Sequence, residues 1–141
     1  MLDINPKDGY YLQHFARVGA KEVTGIIYDK KQQDFLTYLN QLFYMKECIN
    51  LVQEDEEKQS DRKYDIVLLF KKLCTLKEKE QIRYVEWIAT KAERLIIWES
   101  GVEYEKEKQL ILKYIKCEKY IFLKRVLSEN VVREVGIFVK N

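Results

Sequence analysis

Short apolar runs and stretches of helical spacing alternate from one end of the chain to the other. Met1 to Ile4 reads as a short strand, followed by the turn Asn5-Pro6-Lys7-Asp8-Gly9. Tyr10 to Val18 has helical spacing, with Tyr11, Phe15 and Val18 on one side, and Gly19 stops it. Glu22 to Tyr28 is rich in β-branched residues and reads as a buried strand. Asp29 is placed to cap a helix over Lys30 to Tyr44, where Phe35, Leu39, Leu42 and Phe43 recur at three and four residues. Cys48 to Gln53 is a strand, and Glu54 to Lys63 a polar connection.

Tyr64 to Phe70 is the most hydrophobic run and is expected at the centre of a sheet, because a strand covered on both faces loses its alternation. Glu78 to Thr90 then reads as a helix with Ile82, Val85, Ile88 and Ala89 inward. Arg94 to Trp98 is a fifth strand, and Glu103 to Ile115 a helix carrying Leu110, Ile111 and Tyr114. The end differs in kind. Tyr120 to Val126 and Val132 to Val139 are separated only by Leu127 to Val131, too short for a helical crossover, so they are expected to pair antiparallel. The pattern predicts an α/β fold: a doubly wound, mostly parallel seven-stranded sheet with a C-terminal antiparallel hairpin and helices on both faces.

Composition narrows the chemistry. With 141 residues, 47% of them hydrophobic, residues 1–141 suit one domain with one core. The 25 basic and 23 acidic side chains nearly cancel, and the lysine clusters at Lys71-Lys72, Lys77-Lys79 and Lys113-Lys119 are mostly interleaved with glutamates. They read as solvated surface, not as a nucleic-acid footprint. The longest apolar run, Ile66 to Phe70, is too short to span a bilayer and no basic-then-apolar leader opens the chain, so a cytoplasmic protein is expected. Three cysteines, Cys48, Cys74 and Cys117, occur without CxxC or Cys/His spacing beside a single histidine, which argues for reduced thiols and no metal.

In open parallel sheets the turn after the first strand cradles the ligand. Here the residues Leu2-Asp3-Ile4-Asn5-Pro6-Lys7-Asp8-Gly9-Tyr10 resemble the first motif of class I, Rossmann-like S-adenosylmethionine-dependent methyltransferases: an apolar strand, an acid, then a loop ending in acid-Gly-aromatic. The similarity continues through Phe15-Ala16, Gly19-Ala20, Glu22 to Ile26, Tyr64 to Phe70, Arg94 to Glu99 and the terminal hairpin Lys119 to Lys140, and so covers essentially the whole chain. It implies a single methyltransferase-type domain whose cofactor is S-adenosylmethionine. The cofactor-binding positions it implies are Asp3, Asn5, Lys7, Asp8, Gly9, Ile27, Asp29 and Asp55.

By the same resemblance Asp3 orients the loop or accepts from the methionine ammonium, against the plainer role of satisfying local backbone amides. Asn5 and Lys7 stand where the family has glycines; Asn tolerates positive φ, whereas Lys7 brings a long side chain to a close backbone approach. Ile27 stands where an acid normally takes the ribose hydroxyls. Asp29 lies two residues on and either substitutes for it or caps the next helix. Asp55 falls where a residue accepts from the adenine amino group, within a run of four acids that also suits plain surface. Lys71 and Lys72 follow the central strand, would face the methyl group and are the candidate catalytic positions, able to attract an anionic substrate. His14, one turn into the first helix, reads as structural.

Two functions follow. One is methyl transfer to a small or anionic substrate. The other is a non-catalytic member of the fold, with weak or lost cofactor binding, serving as an interaction or scaffold subunit or a homo-oligomer; ten tyrosines supply aromatic surface for a partner. A nicotinamide-dependent dehydrogenase needs G-x-G-x-x-G after a strand, which the chain lacks. The cysteine reading is testable directly: thiol titration of the denatured, unreduced protein should find three free thiols, and recovery of fewer, or of bound zinc, would count against it.

Overall fold

The computed structural model describes residues 1–128 and 130–141. Seven strands follow the order β3-β2-β1-β4-β5-β7-β6: β1 Leu2–Asp3, β2 Val23–Ile27, β3 Ile49–Gln53, β4 Tyr64–Phe70, β5 Ala92–Glu99, β6 Cys117–Ser128 and β7 Val131–Lys140. β1 with β2, β2 with β3, and β4 with β5 are parallel, whereas β7 runs antiparallel to both β5 and β6. This is the expected mixed, mostly parallel α/β sheet with an antiparallel C-terminal pair. The expected connection Leu127 to Val131 includes Glu129, which lies outside the described residues. Two compact units make up the chain, Met1–Arg62 and Lys63–Asn141.

In the first unit, α1 (Tyr10–Arg17) and α2 (Lys30–Leu42) pack on β2 and β3. Their core is Leu12, Val23, Ile27, Leu36 and Ile49. The faces expected are met in part: Phe15 and Leu39 pack against this core, whereas other expected residues do not. Leu12, not Tyr11 or Val18, is the buried anchor of α1; Leu36 and Asn40, not Phe35 or Leu42, are buried in α2. Each helix carries exposed as well as buried large apolar residues, so spacing alone leaves the inward face open. Here the small residue Gly25 decides it: a methyl group at that position would meet Leu12 at 2.8 Å. The stretch after β3 is not an irregular connection throughout, for Glu54–Gln59 forms a short helix, α3. Its four leading acids sit where the partial positive charge of a helix N-terminus stabilises them, and Lys58 bridges back to Glu54 at 2.6 Å.

In the second unit, Val67, Leu68 and Leu69 of β4 are buried as expected of a central strand. α4 (Glu78–Lys91) buries Val85 and Ile88, and α5 (Tyr104–Tyr114) buries Ile111. A 3₁₀ turn, Leu73–Thr75, precedes α4. Trp98, Phe138 and Tyr120, from β5, β7 and β6, form an aromatic cluster, with Phe138 to Trp98 at 5.7 Å and to Tyr120 at 4.8 Å between ring centroids. Room for Tyr120 comes from Gly136, where any Cβ would run into the tyrosine ring and hydroxyl.

Glu134 fastens this cluster. Its carboxylate accepts from the Tyr120 hydroxyl at 2.7 Å, from Lys108 at 3.2 Å and from Arg125 at 3.4 Å. β6 is the outer strand of the order and is interrupted twice, by register shifts between Cys117 and Lys119 and between Phe122 and Lys124. Ile121, Phe122 and Leu123 are exposed along it. Gly136→Ala should destabilise the protein by about 1–3 kcal/mol through overpacking. In urea unfolding, the double variant Gly136→Ala/Tyr120→Leu should lose less than the two single losses combined; strict additivity would show that Gly136 does not serve to admit the ring.

Candidate functional site

β1 ends at Asp3, and the chain then makes a tight turn in which the Gly9 N–H donates to the Pro6 carbonyl at 2.6 Å. Asp3 is fully buried. Its Oδ1 accepts from the Asn5 N–H at 3.0 Å, which orients the loop, while its Oδ2 has no hydrogen-bond partner. Burial pushes the Asp3 carboxyl up to about 7; the Asn5 N–H acts against this and the Asp8 charge adds to it. The Ile4 carbonyl accepts from the Tyr28 hydroxyl at 2.6 Å, so the residue after β2 holds the residue after β1.

The departures from a glycine loop can be placed. Lys7, with φ of 46°, and Gly9, with φ of 78°, occupy the left-handed region, whereas Asn5 does not. A lysine there is strained, and the tolerance of Asn for positive φ is not used. At Gly9 a methyl would also meet Leu36 at 2.6 Å. Asp8 accepts from the Tyr10 N–H at 3.1 Å, and the Gly9 carbonyl takes the Gln13 N–H at 3.0 Å, which opens α1.

The remaining candidates are more dispersed. The Ile27 side chain is buried in the apolar core with Leu12, Val23, Leu36 and Ile49. Asp29 caps α2, accepting from the Gln32 N–H at 2.8 Å. Asp55 is exposed in the first turn of α3. In the second unit the Lys71 ammonium pairs with Glu99 at 3.3 Å, and that of Lys72 lies over the Tyr84 ring at 5.2 Å from its centroid. Asp3, Asn5, Lys7, Asp8 and Gly9 thus form one continuous loop; Asp29 and the two lysines each already have a local task.

Sequence reasoning missed Gln13 and Asn40, a buried side-chain pair joining α1 to α2. No local signal marked them, since both helices carry several polar residues and these two meet only after folding. It also missed Glu107, whose buried carboxylate accepts from the Gly101 N–H at 2.9 Å and from Trp98 Nε1 at 3.2 Å. Cys74 lies beside it and donates to the Lys71 carbonyl at 3.2 Å. Burial, then the Glu107 charge, pushes the Cys74 thiol up, leaving it a poor nucleophile at neutral pH.

No protein-family model matches the sequence, and neither does any curated protein. Solved structures do match. EvdMO1 superposes on 99% of the chain at a TM-score of 0.79 and 12% identity, the chain spanning 36% of that protein. Magnesium protoporphyrin IX methyltransferase (ChlM) from Synechocystis PCC 6803, solved with bound S-adenosylmethionine, gives 0.76 at 16% identity over 99% of this chain and 69% of its own. The N-methyltransferase NodS from Bradyrhizobium japonicum WM9 gives 0.75 at 13% identity, over 99% and 84%. At these identities the likeness is one of fold: the chain has the class I methyltransferase fold. Among the described residues no helix is long and apolar enough to cross a membrane, and no group of His, Cys, Asp and Glu is arranged to hold a metal.

The buried Asp3 makes stability depend on pH. Its pKa is higher folded than unfolded, so the folded state binds the proton more tightly. Its favourable contribution is complete below about pH 4, the unfolded value, and is lost as pH rises to the folded value near 7. Between pH 5 and 8, Asp3→Asn should show a flatter urea-unfolding profile than the natural chain. The gap between them should grow toward high pH to the order of a few kcal/mol; parallel profiles would show that Asp3 ionises without penalty.

Proposed function

We propose that the chain binds S-adenosylmethionine through the loop after β1, with low affinity, and that methyl transfer to a small or anionic substrate is the activity this binding serves. The observation that carries the reading is Asp3: a buried carboxylate whose Oδ2 has no partner, at the end of the first strand and ahead of Gly9. An orphaned carboxylate oxygen is costly, and an ammonium is the group that satisfies it best. The methionine end of the cofactor therefore fits the residues present. Four of the neighbours of known structure were solved with S-adenosylmethionine or its demethylated product bound or are named as methyltransferases, which supports the same reading.

The ribose end fits less well. Ile27 offers no acceptor and points into the core, and one oxygen of Asp29 is engaged with Gln32. Losing even one hydrogen bond to a charged group, about 1.5 kcal/mol at the low end, weakens binding roughly tenfold. Asp55, exposed at the start of α3, would serve the adenine amino group. The cofactor would supply an electrophilic sulfonium methyl. Lys71 and Lys72 would attract an anionic substrate, each while holding its present contact with Glu99 or Tyr84.

A second reading, a non-catalytic interaction subunit, is favoured by the burial of Ile27 and by exposed aromatics such as Tyr38, 60% exposed, and Tyr44, 95% exposed. Calorimetric titration with S-adenosylmethionine and its demethylated product separates the two. Measurable binding should weaken by about tenfold in Asp3→Asn, the value of one charged hydrogen bond. Binding indifferent to Asp3→Asn would remove the loop from the site. No binding by the folded natural chain would leave the interaction reading. Ile27→Glu would not restore a ribose contact, since it places a carboxylate in the apolar core.

A further inference from the structure

A cleft lies in the first unit, between α1 and α2. Its volume is about 390 Å³, and it is lined by Tyr10, Gln13, His14 and Arg17 from α1 and by Leu39 and Phe43 at the end of α2. That volume suits a ligand of nucleobase or nucleoside size. The α1 residues lie at i, i+3, i+4 and i+7, so they share one face of the helix. Leu12 and Leu36 take the core positions, and Tyr10 and Phe43 stay exposed beside the cleft.

Its lining is planar and polar together. The Tyr10 and His14 rings are stacked, 10° from parallel with centroids 6.0 Å apart. The Arg17 guanidinium lies over the Phe43 ring at 4.7 Å from the centroid. Flat π surfaces and a guanidinium plane are the surfaces on which heteroaromatic rings stack. Gln13 is only 8% exposed; its Nε2 donates to Asn40 Oδ1 at 2.6 Å, and its Oε1 has no hydrogen-bond partner. A buried amide oxygen left without a donor costs free energy that a ligand N–H recovers. The Asp8 carboxylate at the margin of the cleft adds a second acceptor, and disfavours an anion beside Arg17.

We propose that this cleft binds a planar N–H-bearing heterocycle of the nucleobase class, stacked on the aromatic lining, with its N–H donating to Gln13 Oε1. The site borders the loop after β1 through Asp8 but does not depend on the reading given for that loop. Asp3, the residue that carries that reading, does not line the cleft.

The test uses adenine and cytosine as probes and cyclohexanecarboxamide as a non-planar amide control, followed by ¹⁵N-correlated NMR of the full chain. Adenine or cytosine should shift the Gln13 side-chain amide resonances at millimolar concentration, and the control should not. Tyr10→Ala and Phe43→Ala remove exposed side chains and should leave the fold intact. Each should weaken binding by about three- to tenfold, the value of one stacking contact, whereas Asp3→Asn should leave it unchanged. No shift with either base overturns the proposal, and so does equal binding of the control. Binding lost in Asp3→Asn and retained in Phe43→Ala would place the base in the loop after β1 instead, which also overturns it.

Discussion

A methyl group at Gly25 would meet Leu12 at 2.8 Å, and one at Gly9 would meet Leu36 at 2.6 Å. These two absent side chains let α1 sit against β2 and α2 against the loop, and most of what is distinctive in the first unit follows from that closeness. Leu12 and Leu36 become the core anchors, which fixes the rotation of both helices. Gly9 must adopt a left-handed conformation to turn the chain into α1, which sets the loop in which Asp3 is buried. The same rotation brings Gln13 against Asn40 and turns Tyr10, Arg17 and Phe43 outward. One close approach of helix to sheet thus shapes both the loop and the cleft between the helices.

Buried polar groups in the two units take part in different networks. In the second, Glu134 takes three donors, and both Glu107 oxygens are engaged. Such closed networks hold strands and helices in one arrangement and leave nothing for a ligand to complete. In the first, Asp3 Oδ2, Gln13 Oε1 and Thr24 Oγ1 are buried without a partner. Native interiors keep few such atoms, and of these Asp3 belongs to the loop after β1 and Gln13 to the cleft between the helices.

The strands were legible because a run such as Tyr64 to Phe70 has no other economical reading, and the antiparallel end followed from a connection too short for a helix. The helix faces were legible only in part. Tyr11, Phe15 and Val18 satisfy helical spacing as well as Leu12 does, and nothing local shows that Gly25 will meet Leu12. The loop was legible as a unit, from Asp3 to Gly9, but its geometry was not: Lys7 joins Gly9 in the left-handed region, where propensity does not place a lysine. Asp29 was read with two roles, and the capping bond is present in the structure. The cleft could not be read at all, since Gln13 and Asn40 are 27 positions apart in sequence and meet only after folding.

β6 is a long outer strand with an apolar stretch, Ile121 to Leu123, exposed on it. A regular strand of that length would offer another chain an unbroken ladder. Its two register shifts divide it into segments of a few residues, and Lys119 and Lys124 stand at the breaks. A foreign strand would lose alignment at each interruption and meet a cation as it did so. The interruptions therefore guard against runaway self-association at high concentration, and straightening them would be expected to trade a tidier hairpin for fibre-forming stickiness.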